Sequence, residues 1–117
     1  MAEKTFVCLT EEIKVGMPRI AKIRQLSIGV FRIGDCFYAL LNICPHRGAP
    51  LCEGTQCGTT APVSRAEFIY HRENEIIRCA WHGWEFDIKS GEALAAPGVK
   101  ARTFPVTVED GAVYVTA

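Results

Sequence analysis

The sequence predicts a small all-β protein, folded as an antiparallel barrel or sandwich. Short apolar runs are separated by turn signals at Gly34-Asp35 and Asp110-Gly111, and turns this short join antiparallel neighbours. Helical periodicity is absent except for one short turn near residues 11–15. Strands that follow one another through short turns favour an antiparallel meander over a parallel sheet with crossover helices.

The strand predictions leave one long central segment between two groups of strands. The amino-terminal group covers residues 4–9, 19–26, 28–33 and 36–43, and the carboxyl-terminal group covers residues 85–88, 102–109 and 112–116. Residues 53–64 are rich in Gly, Thr and Pro and predict a loop. Residues 67–70 and 75–78 predict a hairpin with its turn at residues 71–74.

Composition sets the broad class of the protein. A chain of 117 residues with 49% hydrophobic and 22% charged residues is typical of one soluble globular domain. The formal net charge is zero, which gives no indication of binding to nucleic acid or to an anionic membrane. No apolar run approaches the length of a spanning helix, and the amino terminus lacks a secretory pattern, so we expect a cytoplasmic protein.

Two short stretches, residues 44–48 (CPHRG) and 79–84 (CAWHGW), each pair one thiol with one imidazole. Together Cys44, His46, Cys79 and His82 offer four metal ligands, which suits either a structural zinc or a two-iron, two-sulfur cluster. Zinc sites of this composition usually keep their two Cys together and their two His together. Here each stretch mixes the two types, which favours the iron–sulfur cluster, with each loop giving a sulfur to one iron and a nitrogen to the other.

A glycine follows each of these histidines, at Gly48 and Gly83. Glycine adopts left-handed backbone angles without a Cβ penalty, so both stretches are predicted to form tight loops. Pro45 fixes one backbone torsion of the first loop.

Residues 44–51 (CPHRGAPL) and 79–87 (CAWHGWEFD) resemble the two cluster-binding loops of Rieske [2Fe-2S] proteins, in particular Rieske ferredoxins and the Rieske domains of ring-hydroxylating oxygenases. The resemblance implies that Cys44 and Cys79 hold one iron of a [2Fe-2S] cluster and that His46 and His82 hold the other. It also implies a single Rieske domain over residues 1–117. Its base would come from both ends of the chain, with a cluster-binding subdomain inserted at about residues 43–88.

The resemblance also leads to predictions about the surroundings of the cluster. Ala49 and Trp81 occupy the positions at which high-potential Rieske proteins carry a bracing disulfide, and Trp84 replaces a hydroxyl residue. These differences predict a potential in the lower part of the Rieske range of roughly −150 to +300 mV. Trp81, Trp84 and Phe86 either shield the cluster or are ordinary core aromatics.

Four further cysteines lie outside the proposed ligand set. Cys8 and Cys36 fall in apolar strand-like runs and are predicted to be buried thiols. Cys52 and Cys57 follow the first loop and are predicted to be plain loop residues, with a redox-sensitive pair or ligands of a second metal as the alternatives.

The function that these features predict is a soluble Rieske-type ferredoxin, a one-electron carrier between a reductase and an oxygenase or related redox enzyme. The alternatives are a small subunit or regulatory module of a larger reductase, as in nitrite reductases, and a zinc-stabilised interaction domain. No catalytic residue is predicted. The chain has three histidines, and only His71 is left after the cluster, too few for the two-His, one-carboxylate iron site of an oxygenase.

Overall fold

The computed structural model describes residues 3–45, 48, 50–62, 68–79, 83–96 and 98–117, without the side chains of residues 58–62 and 68–74. This part of the chain is built almost entirely of strands, which confirms the predicted all-β class. The strands are β1 (Lys4–Leu9), β2 (Arg19–Ile23), β3 (Leu26–Ile33), β4 (Cys36–Leu41), β5 (Thr55–Pro62), β6 (Phe68–Arg78), β7 (Glu85–Asp87), β8 (Thr103–Phe104), β9 (Val106–Glu109) and β10 (Ala112–Thr116). Two 3-10 turns, Thr10–Glu12 and Leu51–Glu53, follow β1 and precede β5.

The strands form three antiparallel sheets. The terminal sheet has the order β1-β10-β9 and joins the two ends of the chain. The middle sheet has the order β2-β3-β4-β8, and the third sheet, β5-β6-β7, lies wholly between residues 55 and 87. No helix in the described ranges is long and apolar enough to cross a membrane.

Two hydrophobic cores lie on opposite faces of the middle sheet. Because side chains alternate between the faces of a strand, Val30 and Ala39 enter one core while their neighbours Phe31 and Leu40 enter the other. The core shared with the terminal sheet includes Cys8, Ile13, Ile23, Ile28, Phe104, Val113 and Val115. The core shared with the third sheet includes Cys44, Leu51, Cys52, Ile77, Cys79, Phe86 and Ile88. The middle sheet therefore shares a core with Cys44 and Cys79, the first residues of the two predicted loops.

Two tight turns fix the register of the hairpins. Asp110 and Gly111 have φ values of 49° and 75°, which confirms the predicted turn between β9 and β10. Arg24 and Gln25, with φ values of 51° and 77°, make an equivalent turn between β2 and β3 that the sequence does not signal. Two successive positive φ values match the right-handed twist of paired strands.

The prediction for the segment after the first loop is wrong in two places. Residues 53–64 were expected to form a loop, but β5 occupies most of this segment and pairs with β6 from Thr55–Arg78 to Pro62–Phe68. The hairpin turn expected at residues 71–74 is absent, because β6 runs through it and His71 pairs opposite Thr59. Thr-rich β5 has good strand propensity, and cross-strand pairing outweighs the polar composition of both segments.

The strand predicted over residues 102–109 is divided at Pro105. Phe104 pairs with Ala39 in the middle sheet, whereas Val106 pairs with Val115 in the terminal sheet. Proline has no backbone N–H to give to a ladder, so the chain changes sheets at this residue.

Gly29 marks a tight contact between the middle sheet and the segment after the first loop. A Cβ atom on Gly29 would overlap the Cβ of Cys52. We therefore expect Gly29→Ala to lower the free energy of unfolding by about 1–3 kcal/mol, the usual cost of overpacking a core. Gly98→Ala is the matched control, because a Cβ there meets nothing within 4 Å, and it should change stability by less than about 0.5 kcal/mol. Equal urea midpoints for the two variants would contradict this packing.

The thiol of Cys52 makes stability sensitive to alkaline pH. Burial raises the pKa of Cys52 from 9.0 to about 12. The unfolded chain therefore releases this proton above about pH 9 while the folded chain keeps it, so stability that is fully present below pH 9 is lost as pH rises. Serine does not ionise, and the other groups with a raised pKa (Cys8, Cys57 and Tyr38) are common to both proteins.

Relative to Cys52→Ser, wild-type protein should thus lose about 1.4 kcal/mol of unfolding free energy per pH unit above pH 9. Urea titrations of both proteins between pH 8 and 10.5 measure the difference. A difference that stays constant over this range would show that Cys52 ionises as freely in the folded protein as in the unfolded chain.

Candidate functional site

The two predicted loops close through the same backbone geometry. In the first loop the N–H of Gly48 donates to the carbonyl of Cys44 at 2.7 Å, and in the second the N–H of Gly83 donates to the carbonyl of Cys79 at 2.9 Å. The φ values of Gly48 and Gly83 are 75° and 70°. In each loop a left-handed glycine therefore returns the chain to the carbonyl of the cysteine four residues before it, in agreement with the predicted tight loops.

The structure describes only part of the predicted ligand set. Cys44 and Cys79 are described, whereas His46 and His82 lie outside the described residues. Arg47, Ala49, Ala80 and Trp81 also lie outside them. Within the described part of the chain, no three His, Cys, Asp or Glu side chains gather as a metal site.

Cys44 and Cys79 are buried in the same core although they lie 35 positions apart. Each is 1% exposed, and the core around them includes Leu51, Ile77 and Phe86. Cysteine sulfurs are the ligands that hold iron–sulfur clusters. Two buried sulfur donors in one core, each at the start of a loop that ends on a glycine, therefore fit such a cluster.

The second loop is held at its base by paired strand ends. The N–H of Cys79 donates to the carbonyl of Trp84 at 2.8 Å, and Arg78 pairs with Glu85 in the ladder between β6 and β7. The side chains of Arg78 and Glu85 also form an ion pair at 2.8 Å. The backbone of the second loop thus leaves and rejoins the third sheet at adjacent positions.

The two aromatic residues that follow the second loop differ in their burial. Phe86 is fully buried and belongs to the core, while Trp84 is partly buried and stacks on it with ring centroids 6.3 Å apart. Trp84 also lines a cavity of about 200 Å³ with Gly83, Glu85 and Leu94. Trp84 therefore covers the core next to the second loop, and Phe86 fills it.

The other four cysteines depart from the predictions at three positions, Cys36, Cys52 and Cys57. Cys8 is buried as predicted, but Cys36 is exposed because β4 begins there, directly after the turn at Gly34. Cys52 is not a loop residue, since it lies in the 3-10 turn Leu51–Glu53 and is 1% exposed. Cys57 lies partly buried on β5. All six cysteines belong to the described residues, and none forms a disulfide.

The chemistry of Cys52 does not suit a second metal site. Its thiol donates to the carbonyl of Leu40 at 3.5 Å, and its raised pKa keeps it protonated at neutral pH. The thiolate is the form that binds metals and attacks disulfides. Cys52 is therefore a packing residue.

Sequence reasoning missed a buried polar residue next to the first loop, Asn42. It is 7% exposed and accepts a hydrogen bond from the N–H of Cys52 at 2.7 Å. The available signal is the interruption of the apolar run of residues 36–43 by one amide, directly before the first loop. Buried amides are retained where their hydrogen bonds are satisfied, so such an interruption indicates a local polar contact.

Comparison with known proteins shows which family the chain as a whole resembles. The model of the Rieske [2Fe-2S] domain matches residues 3–108. Ferredoxin CarAc of Metapseudomonas resinovorans is 31% identical over 111 residues, covering 93% of this chain and 89% of that protein. The 3-phenylpropionate/cinnamic acid dioxygenase ferredoxin subunit of Photorhabdus laumondii is 30% identical over 112 residues, covering 95% and 91%.

Solved structures agree with this comparison. A complex of reduced oxygenase and oxidized ferredoxin in carbazole 1,9a-dioxygenase contains a chain that matches with a TM-score of 0.74 and 29% identity, covering 97% of this chain and 92% of that one. A putative NADH-dependent nitrite reductase small subunit from Mycobacterium tuberculosis, with a TM-score of 0.74 over 100% of this chain and 96% of that one, is 17% identical and shows a shared fold alone. The family model and the ferredoxin relatives both span nearly the whole chain, which therefore belongs to the Rieske [2Fe-2S] domain family.

Proposed function

We propose that this protein is a Rieske ferredoxin that carries single electrons from a reductase to an oxygenase. The observation that carries the proposal is the pair of matching turns that bury Cys44 and Cys79 in one core, in a chain that spans about nine-tenths of its ferredoxin relatives. Those relatives include subunits named as ferredoxins of dioxygenases. The family cofactor, a [2Fe-2S] cluster, accepts and releases one electron.

We assign Cys44 and Cys79 as ligands of one iron and His46 and His82 as ligands of the other. The burial of both sulfurs supports the first half of this assignment. The second half rests on the positions of the histidines in the two motifs. His46 lies two residues before Gly48, and His82 lies directly before Gly83. Neutral imidazoles in place of two thiolates leave the site less negative, which makes addition of an electron easier.

The residues around the site shape and bury it for electron transfer and take part in no bond-making step. Gly48 and Gly83 allow the tight turns, and Leu51, Phe86 and the stacked Trp84 keep water from the sulfur side of the site. Such burial limits the charge screening around the cluster and so tunes its potential.

Catalysis is not part of this proposal. The relatives are electron carriers, and the two cluster histidines leave only His71 in the sequence. A non-haem iron site of the oxygenase type needs two histidines and a carboxylate. His71 lies on β6 opposite Thr59 of β5, and its assignment as a plain surface residue stays a prediction.

The proposed partners are a reductase that donates the electron and an oxygenase-type protein that accepts it. Two relatives are named as ferredoxin components of dioxygenases, which supports an oxygenase as the electron acceptor. One similar solved structure is a complex of oxygenase and ferredoxin. Ile43, next to Cys44, is 49% exposed and gives the first loop an apolar neighbour at the surface that suits a transient contact. We also propose a cytoplasmic location. The net charge of zero gives no indication of a nucleic-acid or membrane partner, and none is proposed.

The domain assignment is also a proposal. One Rieske domain would span residues 1–117, with the cluster-binding subdomain at about residues 43–88. Sheet β5-β6-β7 and both loops lie within that segment, which supports the assignment.

The alternatives are less well supported. The likeness to the nitrite reductase small subunit extends to the fold only. A zinc-stabilised domain does not agree with membership of a [2Fe-2S] family.

The ligand assignment predicts which cysteines the visible spectrum depends on. Cys44→Ser and Cys79→Ser should each abolish the visible absorption of the purified protein and its bleaching by dithionite, because each removes a sulfur ligand. Cys36→Ser and Cys57→Ser are the matched controls, since their thiols lie outside the shared core, and both should keep the wild-type spectrum. Iron and sulfide analysis gives the occupancy. A colourless Cys57→Ser protein, or a coloured Cys79→Ser protein with two irons, would refute the assignment.

A further inference from the structure

Asn42 connects the two ends of the first loop through one side chain. It follows β4 and lies two residues before Cys44, and its Oδ1 accepts a hydrogen bond from the N–H of Cys52, beyond the loop, at 2.7 Å. Its own N–H donates to the carbonyl of Ser27 at 2.8 Å. The first loop is therefore enclosed between two positions that one amide holds together.

The remaining atoms of this amide are also used. Nδ2 of Asn42 donates to Oγ of Ser27 and to Oε2 of Glu53, each at 3.2 Å. Oxygen acceptors surround the nitrogen and a backbone donor faces the oxygen, so the amide has one favourable orientation. The contacts with Cys52 and Glu53 hold the middle and the last residue of the 3-10 turn Leu51–Glu53.

Cys52 is held by packing as well as by Asn42. Gly29 of β3 lies so close that a Cβ on it would overlap the Cβ of Cys52, and the thiol of Cys52 donates to Leu40 of β4. The 3-10 turn therefore cannot shift towards the middle sheet, and Asn42 prevents it from moving away.

The same turn contacts the entrance of the second loop. A Cβ on Gly54 would overlap the carbonyl oxygen of Arg78, the residue before Cys79, and Thr55 pairs with Arg78 in the sheet. A contact this close leaves no space between the backbone at Gly54 and the backbone at Arg78. The position of Cys52 therefore determines, through Gly54, the position of the backbone next to Cys79.

We propose that Asn42 is a positioning residue that fixes the separation of Cys44 and Cys79 by holding the 3-10 turn Leu51–Glu53 against both loops. The inference rests on the proposed function, because it takes those two cysteines as cluster ligands. Asn42 touches neither the cluster nor a partner in this role, and it acts through the backbone of Cys52 and Gly54.

The test compares four variants of the cluster-loaded protein: Asn42→Ala, Asn42→Asp, the double variant Asn42→Asp with Glu53→Gln, and Gln56→Ala. Gln56 is the matched control, because it is a buried amide that accepts from the N–H of Gly16 at 3.1 Å and donates to the carbonyl of Arg32 at 3.0 Å. Each protein is incubated with a ferrous chelator, and the rate at which visible absorption is lost is measured. The midpoint potential and the electron paramagnetic resonance spectrum of the reduced state are recorded alongside.

Asn42→Ala leaves the buried N–H of Cys52 without its acceptor, so we expect cluster loss to be at least about tenfold faster than in wild type. Gln56→Ala should change this rate less than about threefold when both proteins are studied equally far below their melting temperatures. Asn42→Ala should also broaden or shift the resonance spectrum, which Gln56→Ala should leave as in wild type.

The double variant separates positioning from general stability. Asn42→Asp alone keeps the acceptor for Cys52 but places a carboxylate against Glu53, so it should lose the cluster faster than wild type. Adding Glu53→Gln restores a donor opposite the new carboxylate and keeps the net charge, so the rate should return to within about threefold of wild type.

Two results would overturn the inference. One is an Asn42→Ala protein that loses its cluster no faster than Gln56→Ala, and the other is a double variant that is no slower than Asn42→Asp alone. Absence of a [2Fe-2S] spectrum in the wild-type protein would instead refute the proposed function itself, so the two failures are distinguishable. If Asn42→Ala does not fold, the comparison of Asn42→Asp with the double variant decides the question.

Discussion

The close approach of Gly54 to the carbonyl oxygen of Arg78 is the constraint on which the site depends. It joins the segment after the first loop to the residue before the second loop, with no space for a side chain between them. Cys44 and Cys79 are distant in sequence, yet this contact, together with the pairing of Thr55 and Arg78, brings their loops to one end of the third sheet. A short rigid contact of this kind serves a metal cluster better than a flexible one, because ligand geometry must be kept in both redox states.

The three sheets contribute differently to the two cores. The terminal sheet joins the chain ends and closes one core, while the middle sheet carries a second core on its other face. That second core contains both buried cysteines, the Leu51 side chain and Phe86. The site therefore gains its apolar surroundings from the same packing that stabilises the fold, and its exposed neighbour Ile43 lies where a partner protein can approach.

The sequence was sufficient to predict the all-β class, the glycine turns at Gly48 and Gly83, and the family. These features depend on local chemistry, such as a left-handed glycine after a ligand motif or the Asp110-Gly111 hairpin. It was not sufficient for β5, whose Gly, Thr and Pro content is typical of loops, because the strand is stabilised by its pairing with β6. Nor could it find the contact of Asn42 with Cys52, which joins residues 10 apart through a turn that composition does not reveal. In both cases the missing information is tertiary, since a partner strand or a buried amide acceptor has no local sequence pattern.

The most direct test of the account is the number of histidine nitrogens bound to the cluster. Protein with ¹⁵N-labelled histidine is reduced with dithionite, and pulsed electron paramagnetic resonance measures the nitrogen couplings. We expect two strongly coupled histidine nitrogens. Spectra without strongly coupled nitrogen in the wild-type protein would mean that no histidine binds the iron, and would contradict the assignment of two loops that each give one thiolate and one imidazole.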